Sequence, residues 1–399
     1  MKSPVKYLLF IILISALLLG SCMNKSKTSE VETNTDIENL NFTAVEAPEW
    51  TALFNRTTGW FGADGIFAIP LNGKDNETAD SDTETMLIFS DTMVGEIRDN
   101  KLQPGRVMVN NTVAYIKGSE PKEGNISFHW AKNESDKPIS LFSPQTPSAE
   151  PGDYYWLGDG FINTELDNTI YIFAYRMRNM DKSEDWSFKE MGTNLIAIPA
   201  GSTPPFKDQR QIETPLRFEN GGFGAGIYVN TEKAGAPEPD GFIYTYGVRG
   251  KEKNLMVARV LPEEFENFNS WRFWDGNDWI EDMERVAYVT QDVSNELSVS
   301  ALPDGRYALV FTISGINPIV GLRLGQSPYG PFGPIINVWE SSEMKQKNYI
   351  TYNAKAHPNL SAPGELLISY NVNAFDFRNE IEANPNLYRP RFIKLKLNQ

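Results

Sequence analysis

The chain has very little cysteine and histidine. Its 399 residues include one cysteine and two histidines. A single cysteine excludes an internal disulfide framework, a cysteine-based metal site and, at its N-terminal position, a cysteine nucleophile. The chain also lacks the Gly-x-Ser-x-Gly, phosphate-loop and His-Glu-x-x-His motifs of serine hydrolases, nucleotide-binding proteins and zinc proteases.

Positive charge is scarce as well. There are 37 Lys and Arg residues against 52 Asp and Glu residues, which gives a formal net charge of -15. This balance argues against nucleic acid and against anionic membrane surfaces as partners. Aromatic residues are plentiful, with nine Trp, sixteen Tyr and twenty-three Phe. They suit carbohydrate binding and a β core equally well.

No hydrophobic run is long enough for a comfortable membrane span, but the N-terminus has a short one. Lys2 and Lys6 precede an apolar run over 8–19, which Gly20-Ser21-Cys22 closes. The pattern resembles a bacterial lipoprotein signal over 1–21, with lipid on Cys22 and a location at the outer membrane or elsewhere in the cell envelope. An ordinary signal peptide or membrane anchor is the alternative. Residues 22–45, rich in Lys, Ser, Thr, Asn and Glu, indicate a flexible tether.

Helical periodicity is scarce after residue 45, where short alternating apolar runs form a repeat. Each copy has a strand that opens with small or polar residues, then a turn and a strongly apolar return strand. The five copies are 59–71 with 86–92, 155–161 with 168–176, 221–227 with 241–247, 294–299 with 305–312, and 353–357 with 364–370. A short helix is expected at 263–268, after Pro262.

Five such units predict an all-β fold, a five-bladed β-propeller over 46–399, in which each blade covers the apolar face of its neighbour. A β-sandwich or two separate β domains is the alternative. In a propeller the innermost strands surround a central channel, so equivalent positions of the repeats should converge. The positions that superpose include three carboxylates, Asp64, Asp159 and Glu296.

Carboxylates that face one cavity repel one another, which leaves a protonated member and ionised members. Glycoside hydrolysis requires such a division of roles. We expect Asp64 to be the ionised base or nucleophile and Glu296 the acid, while Asp159 holds a sugar hydroxyl; Asp159 and Glu296 could exchange roles. The alternative is that aspartates beside glycine only make tight turns and that Glu296 lies on the surface.

Further residues could complete a substrate site. These candidates are Trp60, Asp91, Trp156, Arg176, Arg249, Lys355 and His357. Each has a structural alternative: packing for the tryptophans, ion pairs for the arginines and a hydrogen bond for the histidine. The chemistry requires no cofactor, although His357 leaves open a Ca²⁺ ion at the central channel. The acidic loop 74–84 is interpreted as a solvated hairpin tip, with calcium binding as the alternative.

Several motifs resemble known bacterial secreted domains. They are TGWFGADGIFAIPL, LIFSDTMVG, MVNNTVAYI, NLMVARVLPEEF, WRFWDGNDW, GLRLGQSPYGPFGP and YNAKAHPNLSAPGELLISYNVN. Over nearly all of 46–399 the chain is similar to the domain-of-unknown-function families 4185 and 5005. The resemblance implies a five-bladed propeller like those of arabinanases and, more distantly, family 43 glycosidases. The 4185 group includes endo-acting D-arabinanases of glycoside hydrolase family 183.

The resemblance therefore implies a lipid-anchored glycoside hydrolase of a polysaccharide-utilising bacterium, acting on a furanose-containing glycan such as arabinan. The usual third-blade carboxylate is missing, since Gly224-Ala225-Gly226 stands there. Two alternatives follow: a carbohydrate-binding lipoprotein without turnover, and a propeller that binds a partner protein of a glycan-uptake system.

Overall fold

The N-terminal and C-terminal parts of the described chain share one β-sheet. The computed structural model describes residues 35–181 and 187–398. Strand β1 (Phe42–Glu46) pairs antiparallel with the last strand of the chain, from Phe42 opposite Leu397 to Glu46 opposite Ile393. The helix α1 (Pro48–Ala52) follows and buries Trp50. The last residues of the predicted tether therefore form a strand, and Cys22 lies outside the described residues.

The next part of the chain forms two sheets that separate at Asp64. The strands are β2 (Thr58–Ala63), β3 (Phe67–Pro70), β4 (Glu84–Phe89), β5 (Thr92–Arg98), β6 (Lys101–Leu102), β7 (Val107–Val109), β8 (Thr112–Lys117) and β9 (Ile126–His129). One sheet has the order β3-β4-β8-β9, and the other joins β2, β5, β6 and β7. A small hairpin of β10 (Ala131–Lys132) and β11 (Pro138–Ile139) follows.

Three antiparallel sheets come next, each from a continuous stretch of chain. The first contains β12 (Tyr154–Asn163), β13 (Thr169–Asn179), β14 (Phe188–Ile198) and β15 (Arg210–Glu213). The second contains β16 (Arg217–Phe218), β17 (Gly221–Asn230), β18 (Phe242–Arg249), β19 (Asn254–Val260), β20 (Arg272–Trp274) and β21 (Trp279–Ile280). The third contains β22 (Ser298–Ala301), β23 (Tyr307–Thr312), β24 (Ile319–Gly325) and β25 (Ile336–Glu340).

The last sheet has the order β1-β28-β27-β26. Its other elements are β26 (Tyr349–Ala356), β27 (Glu365–Ala374), the helix α2 (Phe377–Ala383) and β28 (Arg391–Leu397). The described residues also form 3₁₀ turns at Glu123–Asn125, Pro262–Glu264, Phe268–Ser270, Met283–Arg285, Glu343–Lys345 and Pro358–Leu360. Two of these turns stand where one short helix was expected at 263–268. The all-β prediction is confirmed.

Five of the sheets contact one another in succession through one strand each, and we call these five strands (β3, β12, β17, β22 and β26) the inner strands. Hydrogen bonds connect the sheets near them. They run from Leu157 N to Ser90 Oγ (2.9 Å), Ile227 N to Asp159 Oδ2 (2.7 Å), Leu297 N to Ala225 O (3.0 Å) and Ala356 N to Ser298 Oγ (2.7 Å). The order of sheets in space therefore follows the order of the chain.

The apolar core lies between successive sheets. One buried cluster joins Ile69 of β3 to Ile172 of β13, and another joins Phe173 of β13 to Met256 of β19. Further clusters join β18 to β23, β23 to β27, and β4 to β27. Each sheet with an inner strand thus buries apolar side chains against its neighbours, because its central strands are apolar on both sides.

Three inner strands carry a β-bulge at matching positions. The pairing register shifts between Leu157 and Gly160 in β12, between Phe223 and Gly226 in β17, and between Tyr352 and Lys355 in β26. A bulge re-aims side chains and is frequent beside functional sites. At Gly224 the backbone has φ +112°, and a Cβ atom would lie 2.6 Å from the Phe173 ring. Packing therefore requires glycine at this position of the third repeat.

The acidic loop between β3 and β4 is not a solvated hairpin tip. Its backbone and side chains bond to two other sheets, through Asn76 Nδ2 to Val229 O (2.9 Å), Asn76 N to Ala234 O (3.0 Å), Thr78 Oγ1 to Ser361 O (2.9 Å) and Ala79 N to Asn359 O (2.7 Å). Because these partners come from distant parts of the chain, the loop connects the first repeat to the third and fifth. No helix in 35–181 or 187–398 has the length and apolarity needed to cross a membrane.

Gly62 tests the close contact between β2 and the segment that precedes β28. A Cβ atom at this position would lie 2.1 Å from the Tyr388 backbone oxygen. We expect Gly62→Ala to lower the free energy of unfolding by about 3 kcal/mol, because backbone must shift to remove the overlap. Gly124→Ala is the control, since a Cβ atom there meets nothing within 4 Å. Denaturant melts that show equal effects for both variants would contradict the described contact.

Candidate functional site

A cavity of about 1480 Å³ lies beside the inner strands. Strand ends and loops from several sheets line it, and it contains both acidic and aromatic side chains. Its half-buried acids are Asp64, Asp91, Glu190 and Glu296. They belong to three different sheets or their connecting segments, so the fold brings together residues that are far apart in the sequence.

Asp64 and Asp91 lie side by side because two backbone hydrogen bonds pair their segments. Asp64 N donates to Asp91 O (3.1 Å), and Ser90 N donates to Asp64 O (3.0 Å). The Tyr352 hydroxyl donates to Asp64 Oδ2 (2.7 Å), whereas Asp64 Oδ1 is buried without a partner. Asn110 Nδ2 donates to Asp91 Oδ1 (3.0 Å).

The two aspartates differ in their affinity for a proton. Burial, and then the charge of Asp91, raises the pKa of Asp64 to about 8. Burial raises the pKa of Asp91 less, to about 6, because Asn110 and Trp156 stabilise its charged form. Asp64 is therefore the member of the pair that holds a proton at neutral pH.

Glu296 is paired with a buried ammonium group. Lys355 Nζ bonds to Glu296 Oε2, and Asn353 Nδ2 donates to Glu296 Oε1 (2.7 Å). The side chain of Lys355 is 1% exposed and that of Glu296 is 12% exposed. Burial raises the pKa of Glu296, while the Lys355 charge and hydrogen bond act against that rise. The pair favours an ionised Glu296.

Glu296 also lies next to the Asp64 segment. A Cβ atom at Gly65, where φ is +54°, would be 3.2 Å from Glu296 Oε1. Glycine therefore allows the Asp64 turn to approach this carboxylate closely. The sequence-based roles placed the ionised group at Asp64 and the acid at Glu296. The hydrogen bonds and charges favour the opposite assignment, since the ammonium group accompanies Glu296.

Asp159 lies outside the large cavity. It lines a second cavity of about 50 Å³, together with Asp75, Lys355 and His357. Its Oδ1 accepts from the neighbouring Gly160 N (2.8 Å) on β12 itself, and its Oδ2 accepts from Ile227 N (2.7 Å), so one of its two oxygens joins β12 to β17. Of the three predicted catalytic acids, Asp64 and Glu296 line the large cavity, whereas Asp159 lines the small one, where the charges of Lys355 and Glu296 still act on its pKa.

Among the predicted substrate-binding residues, Asp91 and Trp156 line the large cavity. Trp60 instead lies in the core, 1% exposed, with its ring 4.5 Å from that of Phe128. Lys355 and His357 line the small cavity. His357 Nε2 bonds to Ser369 Oγ (2.7 Å), and burial lowers the pKa of His357 to about 3.

The two predicted arginines line neither cavity. Arg176 is buried and donates from Nη1 to Asp153 Oδ2 (2.9 Å). Arg249 lies over the Phe218 ring, 3.9 Å from its centroid, with Glu284 at 3.9 Å. Both arginines therefore contact other side chains of the protein, which is the alternative to substrate binding that the sequence analysis left open.

Sequence reasoning missed several cavity residues: Tyr175, Glu190, Tyr352 and Asn353. Asn353 opens the fifth repeat, two residues before Lys355, so its place in the repeat was a usable signal. Tyr352 precedes it on the same strand. Glu190 lies on β14 between Lys189 and Met191, outside the residues aligned in the repeats, and no sequence pattern distinguishes it from a surface glutamate.

Within residues 35–181 and 187–398, no group of three or more His, Cys, Asp and Glu side chains is arranged to hold a metal ion. The small cavity contains Asp75 and Asp159, but also the Lys355 side chain, whose positive charge opposes a cation there. A calcium ion at the central channel stays a prediction.

The chain belongs to the family described as Domain of unknown function (DUF5005), whose sequence model matches residues 48–397. A search of curated proteins finds no match. A crystal structure from Bacteroides ovatus, provisionally described as a hydrolase, has 18% identity and a TM-score of 0.68, and covers 92% of this chain and 97% of its own. This likeness identifies a shared fold.

Two glycosidase structures are more distant. The alpha-L-arabinofuranosidase of Podospora anserina, in complex with cellotriose, has 13% identity and a TM-score of 0.43, with coverage of 86% of this chain and 98% of its own. A beta-xylosidase/alpha-arabinofuranosidase from a compost metagenome, in complex with xylotriose, has 11% identity and a TM-score of 0.43, with coverage of 89% and 95%.

The small cavity leads to a prediction about pH. Burial, and then the charge of Asp159, raises the pKa of Asp75 to about 7. Because the folded-state pKa lies above the unfolded one, ionising Asp75 destabilises the fold as pH rises from about 4 to about 7. At pH 8 we expect Asp75→Asn to melt at a higher temperature than the parent, with a free energy of unfolding that is greater by about 1–2 kcal/mol. The difference should be smaller at pH 4.

Asp82→Asn is the matched control, because Asp82 lies on the same loop with a side chain that is 91% exposed. It should change the melting temperature little at either pH. An Asp75→Asn variant that is less stable than the parent at pH 8 would show that the Asp75 charge is favourable.

Proposed function

We propose that this protein is a glycoside hydrolase in which the five sheets containing the inner strands are the blades of a five-bladed β-propeller. One observation carries the proposal: the buried, partly unpartnered carboxyl of Asp64 lies near the carboxylate of Glu296, within a large cavity with aromatic walls. A protonated and an ionised carboxyl group are the two parts that glycosidic bond cleavage needs.

In the proposed reaction, Asp64 is the acid. Its proton passes to the glycosidic oxygen as the bond from that oxygen to the anomeric carbon breaks. Glu296 supplies the negative charge, either by attacking the anomeric carbon or by taking a proton from the water that attacks it. Lys355 keeps Glu296 ionised, and Asp91 favours retention of the Asp64 proton until substrate binds.

The proposed substrate is an oligo- or polysaccharide that contains furanose units, such as arabinan. This class comes from the motifs that resemble the 4185 and family 183 proteins. The names of two structural neighbours, which include arabinofuranosidase activity, are compatible with it. Anchoring of the exported domain through lipid on Cys22, at the outer membrane or elsewhere in the cell envelope, is a proposal from the signal sequence alone.

A carbohydrate-binding protein without turnover is the second candidate. It is favoured by the arrangement around Glu296, because Lys355 and Asn353 occupy both of its carboxylate oxygens. Those bonds hold Glu296 in place, which would serve the binding of a glycan hydroxyl as well as the cleavage of a glycosidic bond. Contacts with other proteins of a glycan-uptake system are compatible with either candidate.

The deciding experiment measures hydrolysis. The protein is screened against arabinans and aryl furanosides beside Asp64→Asn and Glu296→Gln, and we expect each substitution to lower kcat by about 10²–10⁴-fold. Glu120→Gln is the matched control, since Glu120 lies on the surface with 71% of its side chain exposed. Turnover that survives both substitutions would exclude this site, and binding without turnover in the parent would favour the second candidate.

The Tyr352 hydroxyl gives a pH test of the acid. Its hydrogen bond to Asp64 Oδ2 lowers the pKa of Asp64 against the effect of burial. Because Asp64 must be protonated to act, activity should fall as pH rises through that pKa. We expect Tyr352→Phe to move this alkaline limb to higher pH in a kcat profile.

Tyr349→Phe is the control for that profile, because Tyr349 lies on the same strand and its hydroxyl accepts from Asn384 outside the cavity. Its profile should match that of the parent. A Tyr352→Phe limb that moves to lower pH would mean that Asp64 is not the proton donor.

A further inference from the structure

The large cavity extends well beyond the acids of the proposed reaction. Its volume of about 1480 Å³ exceeds the roughly 300–1,000 Å³ of a pocket for one drug-sized ligand. On the β12–β14 sheet the cavity has a second set of lining side chains, which we call the second wall: Trp156, Tyr175, Phe188 and Glu190. Nothing in the proposed cleavage step uses Tyr175, Phe188 or Glu190.

Tyr175 offers a hydrogen-bond donor to the cavity. Its hydroxyl makes no hydrogen bond with any residue in the described part of the chain. Burial, and then the charges of Glu190 and Glu296, raises the pKa of Tyr175, so the phenol stays protonated. The ring lies against the bulge of β12, where a Cβ atom at Gly158 would be 3.1 Å from Tyr175 Cε2.

Glu190 offers an acceptor beside that donor. The Thr193 hydroxyl donates to Glu190 Oε1 (3.0 Å), and Arg217 Nε lies 3.5 Å from the same oxygen. Glu190 Oε2 accepts no hydrogen bond from the described residues. The Glu190 side chain is 27% exposed, which leaves this oxygen able to meet a ligand.

Two aromatic rings border these polar groups. The rings of Trp156 and Phe188 meet edge to face, with centroids 4.7 Å apart and an interplanar angle of 73°. Each is only half-buried. Trp156 lies beside Asp91, so the second wall is continuous with the acids of the proposed reaction. A half-exposed aromatic face next to one donor and one acceptor matches the apolar face and hydroxyl groups of a sugar ring.

We propose that the second wall is a sugar subsite that holds an uncharged ring of an oligosaccharide whose scissile bond lies at Asp64 and Glu296. Tyr175 donates to one hydroxyl oxygen, and Glu190 accepts from a neighbouring hydroxyl. Glu190 pairs with Arg217, so the two charges offset each other, which suits an uncharged ring at this position. This inference rests on the proposed function for the position of cleavage, but the subsite itself is a binding site whether or not cleavage occurs.

The experiment compares short and long substrates. The probes are α-1,5-arabino-oligosaccharides and β-1,4-xylo-oligosaccharides of two to six units, with kcat/KM measured for the parent, Glu190→Gln, Tyr175→Phe and the surface control Glu120→Gln. We expect Glu190→Gln to lower kcat/KM for the longer probes by about 10- to 100-fold and Tyr175→Phe by about 3- to 10-fold, mainly through KM. The disaccharides should change less than about threefold.

Each outcome decides the proposal. A loss confined to long probes supports the subsite. An equal loss on short and long probes, or no loss in either variant, overturns it and leaves the proposed hydrolysis standing. If no probe is cleaved, the proposed function fails with these glycans, and calorimetry of the hexasaccharides decides the subsite. Binding that Glu190→Gln weakens tenfold or more supports it, and absent or unchanged binding overturns it.

Discussion

The hydrogen bonds between inner strands are the constraint on which the site depends. They are short bonds between a backbone amide and a group of the next sheet, as from Ile227 N to Asp159 Oδ2 (2.7 Å). They fix the height of each inner strand relative to the next, and thereby the level at which Asp64, Glu296 and Lys355 meet. Asp159 contributes to the site in this indirect way, although it does not reach the large cavity.

Burial and neighbouring charges then determine which of the carboxyl groups is protonated and which is ionised. Asp64 has a buried oxygen without a partner and a second aspartate beside it, so the neutral form is favoured. Glu296 has an ammonium group beside it, so the charged form is supported. The difference arises from neighbours on β26, because Tyr352 contacts Asp64 whereas Asn353 and Lys355 contact Glu296.

The sequence was sufficient to predict features that recur in the repeat, but not the burial and orientation of side chains that depend on packing between distant segments. The all-β fold and the paired strands of each repeat followed from alternation and glycine punctuation, and Asp64 and Glu296 followed from aligning the copies. Trp60 could not be told from Trp156, because its burial depends on Phe54, just after α1, and on Phe128, which lie outside the repeat. Glu190 carries no local signal, since only the packing of β13 and β14 turns it towards the cavity.

The pairing of β1 with β28 has a consequence for how the protein reaches its final state. Phe42–Glu46 is synthesised long before its hydrogen-bonding partner, Arg391–Leu397, at the far end of the chain. The last sheet therefore keeps an unpaired edge until the whole polypeptide has been delivered, and closure of such a distant pair is slow. A chaperone that shields β-strand edges would act on this edge first.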